Sequence, residues 1–97
     1  MTAAPRSDIQ TDMDDKAKEE ARSQLISDLT FIRDSRTIDE SEINSISRSS
    51  LSDAFYAAGI DNPYAEARKY SLGLESLELA CKMLNVPTSS IPEKARL

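Results

Sequence analysis

An all-α fold is what the sequence predicts: a small bundle of about four helices, with a long C-terminal helix and a disordered N-terminal arm. Three observations carry that expectation. Only two Gly and four Pro occur in 97 residues, so little interrupts helix formation. Apolar residues recur at three- and four-residue spacing, the repeat of one helix face. Between the periodic stretches lie start and stop signals, namely Thr37-Ile38-Asp39-Glu40, Gly59 and Asn62-Pro63.

Residues Met1 to Thr11 are small, polar and Pro-containing, with too few apolar side chains to offset the entropy of ordering, and are expected to form a flexible arm. A helical domain is expected over residues 12–87. Its first helix, about 13 to 34, opens on Asp12, Asp14 and Asp15, where negative charge suits a helix amino end. Ala17, Ala21, Leu25, Leu29 and Ile32 then follow at helical spacing, so the carboxyl-terminal half is the part expected to dock.

Thr37-Ile38-Asp39-Glu40 reads as a capping box that starts helix two. Ile38, Ile43 and Ile46 load one face of that helix, which then enters a run of Ser45, Ser47, Ser49, Ser50 and Ser52. Serine hydroxyls compete for backbone hydrogen bonds, so the helix is expected to weaken near Ser49. Ser50-Leu51-Ser52-Asp53 would restart it as helix three, with Leu51, Ala54, Phe55 and Ala58 inward and Gly59 as a left-handed cap. Two helices and one bent rod both fit residues 38–58.

Asn62 can cap and Pro63 suits a first helical position, so helix four is expected from Pro63 to about Asn85, a rod of about 34 Å. Asn85 and Pro87 supply its stop. The tail, 88–97, is expected to be extended or frayed, with Ile91 a candidate to tuck onto the body.

Helix four carries two apolar stripes. Ala67, Tyr70, Leu74, Leu77, Cys81 and Leu84 form a heptad seam, and Ala65, Leu72, Leu79 and Val86, with Met83 beside them, lie roughly opposite. A helix that is apolar on two sides must be covered on two sides. Either helix four is the central rod of the bundle or the second stripe meets another chain, most economically a second copy about a two-fold axis. Gly73, inside this expected helix, suggests a close backbone neighbour. Leu72, Leu79, Met83 and Val86 are the expected contact residues, with Tyr64 and Tyr70 as aromatic anchors.

Composition limits the chemistry. With no His and one Cys, the commonest general base and the usual zinc ligand sets are missing. Cys81 falls in the apolar seam, where packing is the expected role. Neither a Gly-rich phosphate loop nor a nucleophile elbow occurs. No catalytic residue, metal ligand or cofactor is therefore expected. The net charge of −5 repels nucleic acid and anionic membrane, and no apolar run approaches the roughly 20 residues of a membrane span. A cytoplasmic location is the expectation. The serine run around Arg48 also invites phosphorylation, although capping accounts for it more simply.

The stretch Ala58-Gly59-Ile60-Asp61-Asn62-Pro63-Tyr64, followed by Arg68, Lys69, Tyr70 and Gly73, resembles the turn and recognition helix of AraC-type helix-turn-helix regulators. It covers about 16 of the 97 residues. The resemblance implies DNA contact by Tyr64 to Lys69, although Ile60 stands in place of the aromatic, Ala65 and Ala67 in place of larger residues, and Phe55 where a small residue is required. The leading expectation is a non-enzymatic regulatory or adaptor protein that binds a protein partner and forms a homodimer. Helix-turn-helix DNA binding, and an acidic inhibitor that occupies a basic site on a partner, are the alternatives.

Overall fold

The second helix organises the structure, and the other elements are arranged around it. The computed structural model describes residues 3–96, with side chains from residue 15 onward. Its elements are α1 (Ala3–Asp34), α2 (Glu40–Ala57), α3 (Pro63–Ala67) and α4 (Leu74–Met83), followed by two 3₁₀ turns, Thr88–Ser90 and Glu93–Arg96. Helix α2 packs against α1, α3 and α4. The all-α bundle is thus as expected, but its central rod is α2 rather than the last helix.

In α1 the buried positions Ala21, Leu25, Leu29 and Ile32 form the single inward stripe that the periodicity predicts. The helix begins at Ala3, well before the Asp12 to Asp15 group expected to open it. Nothing from Ala3 to Thr11 breaks a helix, since Pro5 lies in the first turn, where a missing N–H costs no intrahelical bond. Side chains of the arm expected over residues 1–11 lie outside the described residues. At the other end, the Lys94 ammonium donates to the Arg33 carbonyl at 3.1 Å and to the Ser35 carbonyl. A cation there satisfies free carbonyls and suits the helix dipole.

Helix α2 starts two residues later than the expected box would place it. The N-cap is Asp39, whose carboxylate accepts from the Glu42 N–H at 2.9 Å. This register puts Ile38 and Ile43 at the two positions of a hydrophobic staple, with Ile43 buried and Ile38 packed on the core. A Thr37 cap would put Arg36 and Ser41 at those positions, which explains why Asp39 prevails. The helix then runs unbroken through all five serines to Ala57. Gly59 (φ +83) ends it as expected, with the Gly59 N–H bonded to the Tyr56 carbonyl and the Ile60 N–H to the Phe55 carbonyl, a Schellman motif.

The long fourth helix does not form. Pro63 opens α3 as expected, with Asn62 at the cap position but making no side-chain capping bond. After five residues α3 ends at Ala67, and the chain turns through Gly73 (φ 85, ψ −129) before α4 begins. Gly73 is therefore required by its backbone conformation, not by a helix crossing. The heptad seam is divided between two short helices, and a five-residue α3 offers no helix long enough to lie along a DNA major groove as the resemblance implied. Helix α4 stops at Asn85 (φ 59), where the Val86 N–H reaches the Cys81 carbonyl at 2.9 Å.

The tail is folded rather than frayed. Ile91 and Ala95 are buried, and the Arg96 guanidinium donates to the Thr88 carbonyl at 2.8 Å and the Ile91 carbonyl at 3.4 Å. Leu25, Ile32, Leu51, Leu77 and Cys81 form the fully buried centre, and each large aliphatic side chain there contributes about 2 kcal/mol. No helix among the described residues is long and apolar enough to cross a membrane.

Candidate functional site

The break between α3 and α4 is held in place by α2. Arg48, half-buried on α2, donates one guanidinium nitrogen to the Ala67 carbonyl and the other to the Tyr70 carbonyl at 3.4 Å. In the residue immediately before it, the fully buried Ser47 hydroxyl donates to the Asn44 carbonyl at 2.8 Å and accepts from the Gly73 N–H, also at 2.8 Å. Within the turn, the Glu75 carboxylate accepts from the Ser71 N–H at 2.7 Å and the Ser76 hydroxyl donates to the Ser71 carbonyl at 2.6 Å. The backbone groups freed by the break are thus taken up by side chains, as groups shielded from water require.

Pinning the turn in this way creates an open groove of about 970 Å³ between α2 and α3. One wall is the polar face of α2, with Glu40, Asn44, Arg48 and Asp53 among the serines, and the other carries Tyr64, Arg68 and Leu72. Tyr64 is 57% exposed and Leu72 46%. Burial, and then the neighbouring Asp28 carboxylate, push the Asp53 carboxyl above its ordinary range. Ser52 also lines the groove, and its buried hydroxyl has no hydrogen-bond partner among the described residues.

The six expected contact residues do not share one face. Tyr64 and Leu72 meet in this groove. Tyr70 instead tilts onto Phe55, with ring centroids 5.8 Å apart, an edge-type aromatic contact. Leu79 and Met83 are half-buried and pack on the core, and Val86 is part of it. The stripe that joined Leu72 to Leu79 and Val86 existed only on a continuous helix. Sequence reasoning missed the positioning roles of Ser47 and Arg48, because a serine and an arginine on a helix give no sign that their partners lie 20 or so residues away.

A second groove, of about 550 Å³, runs between α1 and the C-terminal segment. Leu29, Val86 and Ile91 underlie it, and Arg22, Ile26, Thr30 and Arg33 edge it from α1. Arg33 pairs with Asp34 at 2.9 Å on the open surface, which holds the Asp34 carboxyl below its usual range.

Cys81 is buried at the base of α4, and burial, with the Glu78 carboxylate adding to it, raises its thiol to about 11. That keeps it in the neutral, unreactive form near pH 7. Among the described residues no group of three or more acidic, His or Cys side chains is placed to hold a metal ion. No protein-family model, curated protein or solved structure matches the chain.

Proposed function

We propose that the protein is a non-enzymatic regulatory or adaptor protein, and that it binds another protein through the groove between α2 and α3. The observation that carries this reading is the convergence of Tyr64 and Leu72, each about half exposed, on a groove whose walls are fixed by Arg48 and Ser47. An aromatic and an aliphatic side chain held at a rigid polar rim are what an interface centre requires. Glu40 and Asp53 on one wall and Arg68 on the other give the rim both signs of charge, which fixes a partner's orientation more than its affinity.

The test is comparative capture from an extract of the cells that make the protein. Wild type, the double variant Tyr64→Ala with Leu72→Glu, and Phe31→Ser are immobilised in parallel. Phe31 is 52% exposed on α1 and does not line the groove. The reading expects a protein retained by wild type and by Phe31→Ser but lost from the double variant. Retention that is equal on all three baits counts against it.

A further inference from the structure

The outer face of α1 has a symmetry of its own. Glu19, Ile26 and Arg33 are spaced by seven residues, so they lie within about 20° of one line along the helix. Arg22 and Thr30 flank Ile26 at four residues on either side. Asp15 continues the line towards the amino end, so the central line of the stripe carries carboxylates (Asp15, Glu19) before Ile26 and a guanidinium (Arg33) after it, with Arg22 set to one side before Ile26. Ile26 itself is 42% exposed and stands at the edge of the groove underlain by Leu29, Val86 and Ile91.

We propose that this face is a two-fold self-association surface: α1 of one copy lies antiparallel to α1 of a second, centred on Ile26, with Glu19 of each copy opposite Arg33 of the other. The register follows from arithmetic on the stripe. An antiparallel pair centred on residue 26 places residue i against residue 52 − i. Glu19 then faces Arg33, Arg22 faces the uncharged Thr30, and Ile26 faces its own counterpart. A parallel pair would set Glu19 on Glu19 and Arg33 on Arg33, which like-charge repulsion disfavours. The paired face from Glu19 to Arg33 runs about 21 Å, and each copy presents the same stripe to the other, as an isologous interface demands. Arg33 already contacts Asp34 at 2.9 Å, but both side chains are largely solvent-exposed, so that contact is weak and leaves Arg33 free to turn to a second carboxylate.

This inference does not depend on the α2–α3 groove. Sedimentation equilibrium on the whole protein tests it. Wild type is expected to be a dimer whose dissociation constant rises with salt. Ile26→Glu, Glu19→Arg and Arg33→Glu are each expected to weaken it at least tenfold, with helical circular dichroism unchanged because all three positions are exposed. The decisive step is mixing: Glu19→Arg and Arg33→Glu chains repel their own kind but complement each other, so an equimolar mixture is expected to regain the dimer mass. The Tyr64→Ala, Leu72→Glu variant is expected to remain dimeric. Wild type that sediments as a monomer overturns the proposal, as does a mixture that stays monomeric while wild type dimerises.

Discussion

Helix α2 and the segment from Pro63 to Asn85 make opposite use of similar local signals. The first contains five serines in eight residues, a composition that weakens helices, yet it is continuous from Glu40 to Ala57. The second has unbroken helical periodicity, yet it is split at residues 68–73. The difference lies in what the polar groups find across the fold. The Ser47 hydroxyl is used by the Gly73 N–H and the Ser50 hydroxyl donates to Asp28 at 3.3 Å, so these side chains tie α2 to its neighbours. In the second segment, Arg48 and Ser47 reach across from α2 and take up backbone groups that a continuous helix would have satisfied internally. A serine run destabilises a helix in isolation; here it supplies the contacts that stabilise a break elsewhere.

The strongest way to disturb this arrangement is Arg48→Ala. It removes the donor to two carbonyls near the end of α3 and is expected to cost about 2 to 3 kcal/mol in urea unfolding, the range for charged hydrogen bonds whose partners are left behind. A loss of only a few tenths would mean that Arg48 holds nothing. Gly73→Ala discriminates more sharply because its sign depends on the conformation. At φ 85 and ψ −129 an alanine is strained by about 2 kcal/mol, whereas in a continuous helix the same change would stabilise by about 1 kcal/mol.

Serines 47 and 52 refine the comparison within α2 itself. Ser47→Ala leaves the Gly73 N–H without its acceptor and is expected to cost about 1.5 kcal/mol. Ser52→Ala removes a buried hydroxyl that lacks a partner and is expected to gain about 0.5 kcal/mol. Equal effects from both would remove the distinction drawn between serines that bridge and serines that do not. At the start of α2, Asp39→Ala is expected to lower stability by about 1 kcal/mol. Thr37→Ala is expected to change it by less than about 0.3 kcal/mol, since Thr37 is exposed and does not cap the helix. Differential scanning calorimetry of the pair resolves which residue caps.

Much of the fold was legible because its signals are local. The inward stripe of α1, the stop at Gly59, the start at Pro63 and the end near Asn85 each need only neighbours within a turn or two. What was not legible depended on distant partners. The Asp39 cap prevailed over the Thr37 box because it lets Ile38 and Ile43 reach the core. Gly73 read as an interruption inside a helix because nothing near it in sequence announces Ser47 as its acceptor. Of the residues that line the groove, Leu72 was named through a helical stripe that does not exist and Tyr64 separately, as an aromatic anchor. They come together because the turn at 68–73 brings Leu72 back towards α2. The hold that Arg48 and Ser47 have on the distant turn escaped notice for the same reason the break did.

Backbone chemical shifts across residues 40–86 provide the most direct measurement. Cα shifts are expected to be helical without interruption from Glu40 to Ala57, helical again over Pro63–Ala67 and Leu74–Met83, and non-helical between them. An unbroken helical pattern from Pro63 to Asn85, or a gap in α2 near Ser49, would contradict the account, because the groove exists only if the first helix holds together and the second gives way.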